Sequence, residues 1–241
     1  SPLGAVAAML TRLQQSRMAL KNLDVLMKIP SERSEDVQHT EHRDLRSSVT
    51  FEDVSFKYPG ALVNALSYVT FHVNQGERVA IVGKMGSGKT TLGKLVNGLY
   101  TPQRGAVKVG GLDIRQIDPT ELRSKIGYMA QDNFLFQGTI RENITLGAPH
   151  VSDHALIRAA TIAGVTDFVK NSPAGFNLQV GERGLNLSGG QRQAVTIART
   201  LLMDPDIVIL DEPSSSMDVG VEAILKLRLA AALKEKTLLL I

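Results

Sequence analysis

The spacing of apolar residues predicts a helix near the start of the chain and a polar segment after it. Between residues 3 and 29, leucines recur at helical spacing among lysines and arginines, and Pro30 then ends the pattern. The stretch from Ser31 to Ser48 is polar and charged, which is typical of a linker. We therefore predict a helical extension with its linker over residues 1–48 and a separate domain over residues 49–241.

From Val49 onward, short apolar strands alternate with helices. The predicted strands cover residues 49–58, 66–73, 78–82, 106–109, 126–129, 207–210 and 238–241, and the predicted helices cover 90–99, 152–163, 166–170, 189–203 and 221–232. The run Ile207–Leu210 is wholly apolar, as in strands that are buried in a parallel sheet. The pattern therefore predicts an α/β fold.

Composition narrows the function classes. Hydrophobic residues make up 43% of the chain and charged residues 21%, which is enough apolar material for a sizeable core. The net charge of +3 does not by itself point to nucleic acid, and 5% aromatic residues give little surface for stacking single strands. Because there are no cysteines, disulfides, thiolate zinc sites and cysteine nucleophiles are excluded. No stretch approaches the ~18–20 apolar residues of a membrane helix.

A glycine-rich loop lies between a predicted strand and a predicted helix. Residues 83–90 are G-K-M-G-S-G-K-T, which fits the pattern of a phosphate-binding loop. Glycines let successive backbone N–H groups point at phosphate oxygens, and the start of the helix adds positive charge. We expect Lys89 to reach the β and γ phosphates and Thr90 to help hold Mg²⁺. The predicted nucleotide contacts are Gly83, Gly86, Ser87, Gly88, Lys89, Thr90 and Thr91.

Two acids end the apolar strand 207–210. We expect Asp211 to hold Mg²⁺ through water or through Thr90, and Glu212 to act as general base toward the attacking water. Taken alone, two adjacent acids could equally form a solvated turn. The phosphate-binding loop in the same chain favours the catalytic interpretation.

A second candidate anion site lies at the predicted start of the helix 189–203. Ser188 is a natural N-cap, and Gly189 and Gly190 leave the first N–H groups of the helix uncovered. The alternative is a simple junction between loop and helix. The sequence L-S-G-G-Q-R-Q over residues 187–193, followed by an apolar strand with Asp-Glu, argues against a chance match.

The order of these motifs resembles the ABC ATPase family over residues 49–241. The resemblance implies a P-loop NTPase core with a mostly parallel sheet, an antiparallel β subdomain and a helical signature subdomain. It also implies ATP and Mg²⁺ as ligands, with Ser188, Gly189, Gly190 and Gln191 as the signature contacts. Gln131 matches the glutamine that senses Mg²⁺ and the attacking water, and Asp218 matches the D-loop aspartate, although Ser216 and Met217 depart from the usual residues there.

Tyr58 matches the aromatic residue that stacks on adenine, although a strand tyrosine can also serve only in packing. The resemblance further implies that two such domains pair head to tail as an ATP-dependent homodimer, with the signature of one subunit closing on the γ-phosphate held by the other. The resemblance does not imply a nucleic-acid partner. None of the five histidines lies at the position of the family's switch histidine, so the domain is expected to be incomplete at its C-terminus.

Three kinds of ABC protein compete: an exporter, an importer ATPase, and a soluble member that acts on DNA or ribosomes. Residues 179–184 resemble the exporter X-loop, although Leu178 replaces its usual threonine, and residues 136–144 are also similar to exporters. Residues 3–33 resemble the cytoplasmic end of a last transmembrane helix, for which the alternative is a surface helix packed on the domain. A fused or cognate transmembrane domain is therefore the expected partner.

Among exporters, residues 10–20 and 30–33 resemble bacterial type I secretion ATPases. Such proteins act at the cytoplasmic face of the bacterial inner membrane and export large repeat-containing proteins or small peptides through a periplasmic adaptor and an outer-membrane channel. Lipid and drug exporters share most of the same motifs, so they stay as the alternative.

Overall fold

The computed structural model describes residues 2–29, 32, 46–148 and 150–241, and the chain divides into two compact units over residues 1–38 and 39–241. The first unit contains helix α1, Pro2–Met27, which ends before Pro30. Pro30 itself and most of the predicted linker lie outside the described residues. Within the described part of the chain, no helix combines the length and the apolar character needed to cross a membrane.

An antiparallel sheet opens the second unit. Its strands β1 (Val49–Phe56), β2 (Leu66–Val73), β4 (Arg104–Val109) and β5 (Leu112–Asp113) lie in the order β2-β1-β4-β5. Phe51 of β1 stacks on Phe71 of β2 with ring centroids 4.6 Å apart, and Phe51 is fully buried. This sheet confirms the antiparallel subdomain that the family resemblance implies.

A parallel sheet forms the centre of the second unit. Strands β3 (Arg78–Ala80), β6 (Ile126–Met129), β9 (Ile207–Leu210) and β10 (Thr237–Leu240) lie in the order β3-β10-β9-β6, with every neighbouring pair parallel. All four residues of β9 are buried, as the apolar run predicts. In such sheets the loops at the carboxyl ends of the strands lie together and bind ligands.

The helices complete the second unit. They are α2 (Lys89–Val96), α3 (Pro119–Lys125), α4 (Ile140–Ile144), α5 (Asp153–Ala163), α6 (Val165–Val169), α7 (Gly189–Leu201) and α8 (Val219–Ala232). A two-stranded sheet joins β7, Gly138–Thr139, to β8, Gln179–Val180. Helices α4 to α8 share one apolar core, and the antiparallel sheet covers a second core together with α2.

Some predicted boundaries were wrong. The first strand ends at Phe56 instead of residue 58, because the backbone N–H of Lys57 donates to the Gln103 side chain (2.8 Å) rather than to a neighbouring strand. The third strand ends at Ala80 instead of residue 82, the last residue before the glycine-rich loop. Helices α3 and α4, of seven and five residues, were not predicted, because their N-caps Asp118 and Thr139 rather than an apolar repeat define them.

Candidate nucleotide-binding site

The glycine-rich loop connects β3 to α2 and curls as its sequence requires. Gly86 and Gly88 both have positive φ values, of 77° and 91°. At Gly88 an added Cβ would lie 2.5 Å from the carbonyl oxygen of Ala65, so a side chain there would clash with backbone. Gly83, Gly86 and Ser87 are exposed, which leaves this face of the loop open to a ligand.

Lys89 begins helix α2 and directs its ammonium group back into the loop. The Nζ donates to the carbonyl oxygens of Gly83 (2.9 Å) and Lys84 (3.0 Å). The cation is therefore held inside the curve of the loop, where phosphate oxygens would be stronger acceptors than neutral carbonyls. Thr90 follows it on the first turn of the helix and is half-buried.

Tyr58 lies beside the same helix. Its hydroxyl is 3.1 Å from Oγ1 of the buried Thr91, and the Nζ of Lys94 lies 5.6 Å from its ring centroid. The rings of Phe56 and Tyr100 meet the Tyr58 ring at steep angles, with centroids 4.9 and 5.2 Å away. Sequence reasoning predicted Tyr58 but missed the two aromatic residues that fix its orientation.

Asp211 follows strand β9 at the carboxyl edge of the parallel sheet. It is 1% exposed, and its backbone N–H donates to the carbonyl oxygen of Met129 (3.1 Å). Its Oδ2 is buried and has no hydrogen-bond partner among the described residues. An unpartnered buried carboxylate oxygen is costly, so this atom suits a cation or the water around one.

Tyr128 of β6 is a neighbour that sequence reasoning missed. Its hydroxyl is also buried without a hydrogen-bond partner in the described part of the chain. Burial, and to a smaller extent the charge of Asp211, raises the pKa of Tyr128 to about 12. The hydroxyl therefore stays protonated at neutral pH and is available as a donor.

Glu212 has an unusual backbone. Its φ is 50°, in the left-handed region that residues with a side chain rarely adopt, while its side chain is exposed. The surroundings hold this conformation at both ends of the residue. The backbone N–H donates to the carbonyl oxygen of Ile241 (2.9 Å), and the carbonyl oxygen accepts a bond from Nε2 of Gln193 (3.1 Å).

Ser188 caps helix α7 in the way its sequence predicts. Its Oγ accepts from the N–H of Gln191 (3.2 Å), and the Gln191 side chain accepts from the N–H of Ser188 (2.9 Å), which is a complete capping box. Gly189 packs closely on the loop after β9, because an added Cβ would lie 2.9 Å from the Cβ of Ser216.

The structure brings the signature residues together with the D-loop residue. One cavity of about 540 Å³, here termed the signature cavity, lies between α7, α6 and α8. Its lining includes Ser188, Gly189, Gly190, Gln191 and Asp218. The lining contains no residue of the glycine-rich loop. Gln131 lies elsewhere, exposed, two residues after Met129 of β6, which pairs in register with Leu210 just before Asp211. Within one chain, the glycine-rich loop and the signature residues therefore do not line the same cavity.

Comparisons with known proteins agree on the class. A family model described as ABC transporter matches residues 66–215. A Bacillus subtilis (strain 168) protein, provisionally assigned as a multidrug export ATP-binding/permease protein, is 40% identical over 193 residues, which are 80% of this chain and 33% of that protein. The leukotoxin export ATP-binding protein of Aggregatibacter actinomycetemcomitans is 35% identical over all 241 residues, which cover 34% of its length.

A solved structure of a bacterial Atm1-family ABC exporter with ATP bound also matches. It has a TM-score of 0.87 and 34% sequence identity, over 94% of this chain and 40% of that one. The chain belongs to the ABC transporter family. It is an ATP-binding domain of the kind that hydrolyses ATP, and it spans about a third of the length of the curated relatives it matches.

Proposed function

We propose that this chain is the ATPase domain of an ABC exporter that moves a protein or peptide across the bacterial inner membrane. The proposal that the chain hydrolyses ATP rests on the residues at the carboxyl edge of the parallel sheet. There Asp211 follows β9, and its buried Oδ2 has no hydrogen-bond partner in the part of the chain that the structure describes, while the glycine-rich loop with Lys89 follows β3. The match to the leukotoxin export protein supports the export of a protein, because it covers the whole chain, residues 1–48 included.

In this proposal the substrate is Mg-ATP. Lys89 and the loop N–H groups bind the β and γ phosphates, the hydroxyl of Thr90 and the carboxylate of Asp211 hold Mg²⁺, and Tyr58 stacks on adenine. Glu212 accepts a proton from the water that attacks the γ-phosphorus, and the bond to the bridging β,γ oxygen breaks to give ADP and phosphate. Gln131 contacts the attacking water and Mg²⁺.

The separation of the two candidate anion sites supports a dimer. The signature residues 188–191 line a cavity that contains no residue of the phosphate loop, so in this proposal they serve ATP bound to a second copy. Two chains then pair head to tail and enclose two ATP molecules. Asp218, in the lining of the same cavity, lies at the interface between the copies.

The remaining partners follow from the proposed class. Residues 1–48 continue from a transmembrane domain at the cytoplasmic face of the inner membrane, and the domain 49–241 supplies the energy. For a type I secretion protein the further partners are a periplasmic adaptor and an outer-membrane channel. The provisional multidrug assignment of the Bacillus relative favours a drug or lipid exporter as the second candidate.

Hydrolysis is tested with Glu212→Gln in the intact gene product. The amide cannot accept the proton, so we expect Mg-ATP turnover to fall by about 100-fold or more, within the usual range for loss of a general base. The ATP dissociation constant should stay near that of the wild type, because Glu212 does not contact the phosphate loop in this account. Wild-type turnover in the variant would remove Glu212 from the mechanism.

Export is tested by mass spectrometry of the proteins that the source bacterium secretes, in the wild type and in a Glu212→Gln strain. We expect the variant strain to lose one large repeat-rich protein or one small processed peptide. An unchanged set of secreted proteins would support the drug or lipid exporter instead, and transport of labelled lipids and drugs into proteoliposomes would then decide between those two.

A further inference from the structure

Gln193 is a fully buried polar residue on helix α7, two positions after the signature. Its exposed fraction is 0%, and it lies on the helix face that carries Ile197 and Leu201 into the apolar core. A buried amide in such surroundings is costly unless its hydrogen bonds are all made. In the sequence, Gln193 lies four residues before Ile197, at a position of the helix where an apolar residue is expected. A glutamine at such a position indicates that its side chain has a specific hydrogen-bonding role.

The Gln193 amide makes three hydrogen bonds, and all of them leave its own helix. Its Nε2 donates to the carbonyl oxygen of Glu212 (3.1 Å) and to Oγ of Ser215 (2.8 Å). Its Oε1 accepts from the backbone N–H of Ser216 (3.1 Å). One side chain therefore ties the start of the signature helix to the proposed general base and to the loop after it.

The bond to Glu212 falls on the residue whose backbone is strained. A φ of 50° at a residue with a side chain persists only when the surroundings hold it. The N–H of Glu212 is held by the carbonyl oxygen of Ile241, beyond β10, and its carbonyl oxygen is held by Gln193. Without Gln193, one of these two restraints is lost, and the peptide that carries the Glu212 side chain can turn.

We propose that Gln193 is a positioning residue that holds Glu212 and the Ser215–Ser216 segment in the arrangement that hydrolysis needs. The proposal rests on the proposed role of Glu212. In a head-to-tail dimer the signature of a chain faces the ATP of its partner, whereas Gln193 acts on Glu212 of its own chain. A shift of the start of α7 on contact with one ATP would thereby move the base that acts on the other ATP.

The test is Gln193→Met, which keeps the length and volume of the side chain and removes all three hydrogen bonds. We expect kcat for ATP to fall about 10- to 100-fold, as for a misplaced catalytic group, while KM changes less than about threefold. The reason is that Gln193 does not line the glycine-rich loop. The matched control is Thr196→Val on the next turn of α7. It removes the hydroxyl of a buried residue that donates to the carbonyl oxygen of Arg192 within the same helix (3.0 Å), and its kcat should stay at the wild-type value.

A second measurement separates positioning from a general loss of structure. In a Glu212→Gln background, adding Gln193→Met should leave the residual turnover unchanged, because the side chain through which Gln193 acts is already disabled. If the two effects multiply instead, Gln193 does not act through Glu212 and the proposal is overturned. A wild-type kcat in folded Gln193→Met would overturn it as well.

Two further outcomes have defined meanings. If Gln193→Met does not fold, Gln193→Glu decides, since its carboxylate can still accept from Ser216 but cannot donate to Glu212; a normal kcat in that variant contradicts the proposal. If Glu212→Gln alone has wild-type turnover, the proposed function fails at Glu212. A tenfold fall in kcat for Gln193→Met would then identify an effect on some other residue and would likewise contradict this inference.

Discussion

At each end of helix α7, one polar side chain makes hydrogen bonds to a segment that is distant in sequence. The side chain is a neutral amide at one end and a charged guanidinium at the other. Near its start, the neutral amide of Gln193 bonds to Glu212, Ser215 and Ser216. Near its end, the guanidinium of Arg199 donates to the carbonyl oxygens of Asn143 (2.7 Å) and Phe134 (3.2 Å) and to Oδ1 of Asn143 (3.2 Å). Both side chains fasten segments that are distant in sequence to one helix.

The difference lies in what each end fastens. Gln193 reaches the loop that carries the proposed general base, whereas Arg199 reaches the segment 134–144, which contains the exporter-like stretch. Burying the charge of Arg199 also costs free energy, and the same burial lowers the pKa of Arg199. Asn143 is itself 2% exposed and also exchanges bonds with the backbone of Phe136. We therefore expect the first end to control turnover and the second to control stability.

The largest expected effect on stability comes from Arg199→Ala. It leaves the backbone carbonyl and the Oδ1 of the buried Asn143, and the carbonyl oxygen of Phe134, without the Arg199 donors. For this we expect a loss of about 2–3 kcal/mol in the free energy of unfolding. Urea unfolding followed by circular dichroism measures this loss. The control is Arg158→Ala, whose exposed ion pair with Asp204 (3.4 Å) should contribute less than about 1 kcal/mol.

Arg199→Lys tests the difference between the two ends of α7, because lysine keeps the positive charge but lacks the several N–H donors of the planar guanidinium. We expect lower stability with an unchanged kcat per folded molecule, which is the reverse of the result for Gln193→Met. If Arg199→Lys lowered kcat as strongly as Gln193→Met, both ends of α7 would control turnover and the contrast would be wrong.

A smaller effect is expected from Ser188→Ala, which breaks the capping box of α7. The loss of an N-cap hydroxyl should cost about 1 kcal/mol of stability. Ser152→Ala is the matched control, since Ser152 caps α5 through a bond to the N–H of Ala155 (3.3 Å) away from the signature cavity. Both variants should unfold at similarly lower urea concentration, while only Ser188→Ala should also slow ATP turnover. Equal turnover in the two variants would remove Ser188 from the nucleotide site.

The smallest effect concerns the ion pair between Arg228 of α8 and Asp167 of α6 (2.7 Å), at the rim of the signature cavity. The hydrogen bond from Arg228 lowers the pKa of Asp167 below its ordinary value of 3.8. A lowered carboxyl pKa stabilises the fold above pH 3.8, and the contribution disappears as the pH falls through the folded-state pKa. Because both side chains are partly exposed, Arg228→Met should cost less than about 1 kcal/mol at pH 7 and nothing near pH 2. Urea unfolding at the two pH values measures it, and an equal cost at both would exclude the ion pair as the cause.

The sequence predicted best the elements whose apolar runs are bounded by turn residues. Strands 66–73, 126–129 and 207–210 were predicted with their observed ends. Helix α3 was missed because it begins with Asp118-Pro119 and spans only seven residues, so that capping rather than apolar periodicity defines it. The resemblance to exporter-type ABC ATPases is confirmed by the comparisons.

The candidate site was predictable only where a residue belongs to a contiguous motif. Lys89, Asp211 and Ser188 lie in such motifs, and their roles stay predictions. Tyr128 belongs to none of the motifs. Gln193 ends the motif over residues 187–193, but nothing in that motif assigns it a role of its own. The relevance of both residues comes from partners far away in sequence. Gln193 reaches a residue 19 positions later in the chain, and the buried hydroxyl of the half-buried Tyr128 lies near enough to Asp211 for that charge to raise the pKa of Tyr128. Such contacts depend on how the sheet and α7 pack, which no local pattern specifies.

The central claim is that two copies of this chain form each ATP site, one through its phosphate loop and the other through its signature. Light scattering of the Glu212→Gln chain, with and without Mg-ATP, tests it most directly, because ATP that is bound but not hydrolysed should hold the two copies together. We predict twice the monomer mass with Mg-ATP, the monomer mass without nucleotide, and the monomer mass in both conditions when Ser188→Arg is added. A Glu212→Gln chain that binds Mg-ATP and remains monomeric at high protein concentration would contradict the account.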